Sequence, residues 1–179
     1  FDSRDVTSSR EPVPGYLPPE NPSLAGLRVG LPENYYFDHA EEDVDKAVRA
    51  AAAAAERMKA ELVPVCVPDI AALNTVARLI LLVEASAVME PYMGRREDFG
   101  ADVRLLLEQG RLIAAPDYVN AQRLRRLFTE QFRALLGQVD CLFTPATPTT
   151  APRAGQAMVE VGGQKEDTRL ASTRLVRGI

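Results

Sequence analysis

Apolar positions recur along this chain in several rhythms, and each rhythm predicts an element. Residues 1–26 show none: Pro, Ser, Gly and charge dominate, with turn signals at Pro14-Gly15 and Asn21-Pro22, which predicts a linker-like surface segment. Leu27-Arg28-Val29-Gly30-Leu31, closed by Pro32, predicts a short strand. Over 41–62, Val44, Ala47, Val48, Ala51, Ala55 and Met58 recur at spacings of three and four, the stripe of a helix. Asp38 is its expected cap, and Glu41, Glu42 and Asp43 set negative charge at the positive end of its dipole. The run Ala50–Ala55 favours helix and lets a neighbour approach closely. Residues 62–67 read as a second strand, which Pro64 and Pro68 push to a sheet edge. Strand, helix and strand in that order predict a right-handed βαβ unit, the building block of a parallel sheet.

Further on the chain turns strongly helical. Residues 69–93 carry only Arg78, Glu84 and Glu90 as charges between Asp69 and Tyr92, which predicts a helix buried on most sides. Glu84 is then expected to be paired, with an arginine as partner, in a structural rather than catalytic role. After a turn at Asp98-Phe99-Gly100, residues 101–114 predict a helix with Val103, Leu105, Leu106 and Leu107 apolar. Pro116 opens a second helix running to Leu136, with Ala121, Leu124, Phe128, Phe132 and Leu135 on one face. The arginines Arg123, Arg125 and Arg126 alternate with that face and read as solvated rather than phosphate-binding. Residues 139–144 predict a buried strand, residues 157–167 a hairpin around Gly162-Gly163, and Leu170 onward a helix. The fold class expected is α/β: part of a mixed sheet covered by helices. It divides into the surface segment 1–26, the βαβ unit with its helices and strand over 27–144, and a loop with further elements over 145–179.

Composition adds exclusions. Hydrophobic residues make up 46% and charged residues 26% of the 179, ordinary for a packed domain. The net charge of −4 supplies no basic face for nucleic acid. Cys66 and Cys141 lie in apolar runs and are expected to be buried free thiols. With a single histidine, His39, and no short-spaced ligand set, neither metal nor cofactor is expected. No stretch looks long and apolar enough to cross a membrane, and a cytoplasmic setting is the expectation. The ends Phe1-Asp2-Ser3 and Val176-Arg177-Gly178-Ile179 read as cuts through a longer protein, the latter as the start of another element.

No catalytic constellation emerges from the residues alone. A serine–histidine triad would need His39, which sits just before a helix and reads as a capping residue. Gly-x-Ser-x-Gly, Gly-x-x-x-x-Gly-Lys-Ser/Thr and Gly-x-Gly-x-x-Gly are all absent. Lys46, Lys59 and Lys165 fall in solvated settings that do not turn a lysine into a base, and the acidic pairs Glu41/Glu42 and Asp102/Glu108 lie at helix starts or on exposed faces. What remains is the stiff Pro/Thr loop after the last long strand, at the strand end where open α/β sheets collect ligands. Thr144, Pro145, Ala146 and Thr147 are therefore the candidate substrate-pocket residues, with a plain surface loop as the equal alternative.

Several segments, in order, resemble the amidase signature family, which includes bacterial amidases and the A subunit of the glutamyl-tRNA(Gln) amidotransferase. They are Asp2-Ser3-Arg4-Asp5-Val6-Thr7-Ser8-Ser9, residues 24–32, Asp102-Val103-Arg104 with Leu107-Glu108-Gln109-Gly110, residues 117–123, residues 139–148 and Thr173-Arg174-Leu175-Val176-Arg177. The resemblance implies a Ser–cis-Ser–Lys triad that cleaves an amide carbon–nitrogen bond through an acyl-enzyme, with backbone amides holding the oxyanion. Those residues are expected before Phe1, since no Gly-Ser-Ser-Gly run occurs here. No catalytic residue is carried over, and this stretch alone is expected to be inactive. Its implied part is to complete the sheet and shape the acyl-side pocket for a small-molecule amide. No nucleic-acid or membrane contact is expected of it, and a homodimer is compatible with it.

One departure bears on substrate. The amidotransferase's A subunit holds glutamine's α-carboxylate with an arginine in the helix after Phe-Gly, whereas here Phe99-Gly100 leads into Arg104-Leu105-Leu106-Leu107, with leucine at the arginine's place. An aspartate expected near Thr173 is also absent. Losing that ion pair disfavours a zwitterion. The resemblance therefore points to a general amidase with a less polar substrate. The alternatives are the A subunit of a glutamyl-tRNA(Gln)/aspartyl-tRNA(Asn) amidotransferase and, in another class, a non-enzymatic α/β interaction module.

Overall fold

A computed structural model of the chain describes residues 1–17 and 23–176. The turn expected at Asn21-Pro22, and all but Val176 of the element expected at 176–179, lie outside the described residues. Strand β1 (Arg28–Pro32), helix α1 (Glu42–Arg57) and strand β2 (Glu61–Val65) form the strand–helix–strand unit, and β3 (Cys141–Leu142) joins it. Among the described residues the sheet runs β2-β1-β3 with both pairings parallel, so β2, with Pro64 inside it, is an edge there, as expected. Side chains alternate between its faces. Val29, Leu62, Cys141 and Phe143 pack towards Ala55 of α1. Val63, Val65 and Leu142 pack towards the larger core of Tyr36, Ile70, Leu73, Leu135 and Leu175. Gly30 lies at the centre of β1, where a Cβ would meet Leu142 at 2.6 Å and Val139 at 3.1 Å, so the flanking chains close over bare backbone.

The second face is covered by α2 (Ile70–Met89) and α4 (Ala115–Leu136), with α3 (Ala101–Arg111) packed on α2. Asp69 caps α2 by accepting the Ala72 N–H at 2.9 Å. Pro116 sits in the first turn of α4, as the sequence predicts. The expected hairpin is β4 (Met158–Val161) and β5 (Gln164–Asp167), antiparallel, turned by Gly162 and Gly163 at φ 58° and 76°. It leads into the short helix α5 (Thr168–Thr173). The fold is α/β as expected. Among the described residues, the mixed sheet resolves into one parallel sheet and one separate antiparallel hairpin.

Several details differ from expectation. Helix α1 stops at Arg57 rather than 62, because Lys59 turns to φ 73° and the Ala60 N–H bonds back to the Ala55 carbonyl at 3.0 Å. Its buried face is Ala52 and Ala55, while Ala47, Ala51 and Met58 are exposed. Asp38 does not cap α1; it accepts the Tyr35 N–H at 2.8 Å, and Glu41 stands at the cap position. His39 does not cap either: it is exposed, and its carbonyl accepts from Arg174. Cys66 is exposed, because the alternation that buries Val65 and Val67 turns the residue between them outward; Cys141 is half-buried, and both thiols are free. Strand β3 is short and half-buried rather than buried, since among the described residues only β1 pairs with it. No turn forms at Pro14-Gly15.

The stretch Ile70–Tyr92 is, contrary to expectation, long and apolar enough to cross a membrane, with a mean hydropathy of 1.6. Helix α2 buries one side on the core and on α3 and α4, but Leu81 and Val88 remain 56% and 66% exposed, so it is not buried on most sides. Glu84 is exposed on that helix. Its partners are Tyr118, whose hydroxyl donates at 2.9 Å, and Gln122 at 3.2 Å, both from α4, and not an arginine.

Candidate functional site

Two places on this frame merit chemical scrutiny. The first is the loop after β3. The α1 start fastens it: the Glu41 N–H donates to the Pro148 carbonyl at 2.7 Å, and the Glu41 carboxylate accepts from the Thr150 N–H at 2.8 Å and its hydroxyl at 3.0 Å. Pro145 and Pro148 are fully buried and Thr149 nearly so, which makes the loop rigid. Thr144 is half-buried in a shallow groove with Ala47, Val48, Ala51, Leu142 and Phe143. Pro145 belongs to the packing. Ala146 and Thr147 are exposed, and the Thr147 hydroxyl donates to the Thr149 carbonyl at 3.0 Å. The four candidate residues therefore do not converge on one cavity.

The second place is a cleft of about 650 Å³ that α2, α3 and α5 enclose together. Helix α3 can lie close against α2 because Gly110 meets the Leu82 backbone and the Ser86 hydroxyl donates to the Leu107 carbonyl. That contact uses Leu107 and Gly110. Leu105 and Leu106 are left 64% and 42% exposed, facing the cleft with Leu81 and Leu82 of α2 and Leu170 of α5. The polar members are Arg78, Asp102, Gln109, Asp167, Arg169 and Thr173. Asp102 and Arg169 pair across the rim at 2.9 Å, 67 residues apart in sequence. Asp167 caps α5, accepting the N–H groups of Arg169 at 3.0 Å and Leu170 at 3.1 Å. The Thr173 hydroxyl donates to the Arg169 carbonyl at 3.0 Å.

The chemistry available is binding. The cleft holds no serine, cysteine, histidine or lysine among its lining residues. Tyr36, fully buried in the core, has its phenol pushed up to about 12 by burial, so it neither gives nor takes a proton at neutral pH. The Asp140 carboxyl lies below its ordinary value because the Arg28 side chain donates to it, at 2.9 Å, a surface pairing that ties β1 to the start of β3. Among the described residues no group of His, Cys, Asp and Glu is placed to hold a metal ion.

Sequence reading did not assemble the cleft, although it singled out pieces of it. Leu105–Leu106 and the neighbourhood of Thr173 were the two departures from the amidotransferase pattern, and both line this one cavity.

Comparison with known proteins fits this picture. The Amidase family's sequence model matches residues 1–174. An amidase of Pseudomonas putida is 40% identical over 157 residues, covering 87% of this chain and 34% of its own length. The A subunit of the glutamyl-tRNA(Gln) amidotransferase of Trichlorobacter lovleyi is 30% identical over 181 residues, covering 87% of this chain and 37% of its own. Among solved structures, a vestigial protein complex that reveals the evolutionary origins of an s-triazine catabolic enzyme superposes with a TM-score of 0.76 at 30% identity, over 87% of this chain and 33% of that one. A crystal structure of an amidase superposes at 0.79 with 23% identity, over 88% and 36%, a likeness of fold. The chain thus spans about a third of the length of the curated relatives it matches. With the family pattern running through nearly all of its described elements, this chain belongs to the Amidase family.

Proposed function

We propose that this chain is part of an amidase that hydrolyses a linear carbon–nitrogen amide bond, and that its share of the work is to wall the acyl side of the substrate site. Water's oxygen ends on the acyl carbon, and ammonia or an amine leaves. The attacking serine, the bridging cis-serine and the lysine that takes the proton belong to polypeptide outside these residues. The observation that carries the reading is the convergence of Leu105, Leu106 and Thr173 on one leucine-walled cleft. The leucine walls of that cleft fit the carbon chain of an acyl group, and its Asp102–Arg169 pair is already satisfied internally, so neither partner is left over for the two charges of a glutamine zwitterion.

The test is ammonia release by the intact polypeptide from aliphatic and aromatic amides against glutamine. Faster turnover of the simple amides is expected, and preferred turnover of glutamine would overturn the choice. A second reading, the A subunit of an amidotransferase, is favoured by the 30% identity to its counterpart in Trichlorobacter lovleyi, and the same assay decides it. A cytoplasmic setting is part of the proposal and is supported by the two free thiols. So is a homodimer, for which exposed Val88 and Leu127 supply apolar surface.

A further inference from the structure

The charged groups around the cleft are not all accounted for. Asp102 and Arg169 satisfy each other, and the Asp167 carboxylate is taken up by two N–H groups of α5. Arg78 is different. It projects from α2 into the cleft, is half-buried, and among the described residues has no hydrogen-bond or ion-pair partner. It shares the cleft wall with Leu81, Leu82, Leu105 and Leu106, with Gln109, whose side-chain amide is likewise unpartnered among the described residues, and with Asp102, Asp167 and Thr173, whose side chains are engaged by other groups. A guanidinium carries five donors in a planar fork that matches a carboxylate with two parallel bonds. Partial withdrawal from water strengthens that match, and leucine walls leave the ligand little else to bind.

We propose that Arg78 is a specificity-determining residue, which anchors a carboxylate at the far end of an otherwise apolar acyl chain. The inference rests on the amidase reading and names its substrate class: an unbranched amide that ends in a carboxylate and carries no α-ammonium group. The ammonium is excluded because both carboxylates of the cleft are already engaged, Asp102 by Arg169 and Asp167 by the helix it caps. The position also differs from that of the glutamine-binding arginine. That residue belongs to the helix after Phe-Gly, where leucine stands here, whereas Arg78 comes from the preceding long helix.

The test uses the intact polypeptide with hexanamide and adipamate, which differ only in a terminal methyl against a carboxylate. Wild type is expected to prefer adipamate. Arg78→Met is expected to lose on the order of 10- to 100-fold in kcat/KM for adipamate, mostly through KM, the size of one charge-assisted hydrogen-bond pair, and to lose far less on hexanamide. Arg78→Lys keeps the charge without the fork and is expected to fall between the two. Equal losses on both substrates, or no preference in wild type, would overturn the anchor. Calorimetric titration with adipate separates this inference from the one it rests on. Adipate binding that Arg78→Met abolishes, in a protein that hydrolyses neither amide, would retire the amidase reading and keep the anchor. Adipate binding that survives Arg78→Met would remove the anchor whatever the turnover.

Discussion

Gly110 is the residue on which the α2–α3 contact turns, and Gly110→Ala sets two opposing effects against each other. In an isolated helix the change would stabilise, since glycine within a helix costs about 1 kcal/mol relative to alanine. In this packing the new Cβ would fall against the Leu82 carbonyl, 2.6 Å from its carbon, and 2.5 Å from the Ser86 hydroxyl oxygen. Real Cβ atoms essentially never come within 3.0 Å, and the obstacle is backbone, which cannot swing aside as a flexible side chain would. The helices must part. Overpacking of this kind costs about 1–3 kcal/mol. Separation also strains the hydrogen bond from buried Ser86 to the Leu107 carbonyl, which is worth about 1 kcal/mol. Against a propensity gain of about 1 kcal/mol, the net is a destabilisation of about 1–3 kcal/mol. The assay is urea denaturation of the intact protein with Ser86→Ala as companion. That variant alone should lose about 1 kcal/mol, and the pair should lose less than the sum, because both act on one contact. Since α3 carries Leu105 and Leu106, Gly110→Ala should also raise KM for the amide substrate. An alanine variant at least as stable as the parent would refute the reasoning, because it would mean that propensity outweighs packing here and that the helices are not held at this distance by Gly110.

Three further outcomes follow from local geometry. Tyr36→Phe removes a buried hydroxyl that lacks a hydrogen-bond partner, so stability should be unchanged or raised by up to about 1 kcal/mol in denaturant titration; a loss larger than that would show that the phenol is satisfied. Lys59→Gly should raise stability by about 1 kcal/mol in the same titration, because Lys59 holds φ 73°, where a Cβ is disfavoured, and a loss would count against that conformation. Asp140 has its carboxyl lowered in the folded state, chiefly by the Arg28 side chain, so its contribution is complete above the ordinary value of 3.8 and is lost as pH falls through the lower folded value. Asp140→Asn should therefore flatten the acid limb of a Tm-against-pH curve below 3.8 and leave its slope near neutrality unchanged, and an unaltered acid limb would refute the assignment.

Where a single face decides an element, the sequence was readable. The alanine-rich helix, the proline-marked edge strand, the Pro116 helix start and the Gly162-Gly163 hairpin each rest on local chemistry, and each is present. The misreadings have separate causes, two of them local and one that lies on another helix. Asp38 has the right chemistry for a cap, but Tyr35, at φ 68°, supplies a nearer N–H. Cys66 sits in an apolar run, yet the strand's alternation leaves it outside. Glu84 found a tyrosine and a glutamine on another helix, a pairing that spacing along one helix cannot show.

The cleft is the instructive case, because its signal lies in residues that the packing does not require. In an 11-residue helix that packs on one neighbour, apolar residues are needed on one side only. Leu107 and Gly110 lie on that side and are buried. Leu105 and Leu106 fall off that stripe, and a helix that merely covers a core has no use for them there. Two large apolar side chains in excess of the packing requirement mark a surface that expects to be covered, by ligand or by further polypeptide. On α2 the residue in excess of packing is Arg78: a cation inside a nearly apolar helix either finds a carboxylate on a neighbouring element or waits for one. Here the neighbouring carboxylates, Asp102 and Asp167, are engaged with α5. Surplus leucine on one helix and an unanswered guanidinium on the next are therefore two halves of one recognition surface, and a substrate that satisfies only one half should bind less well than one that satisfies both.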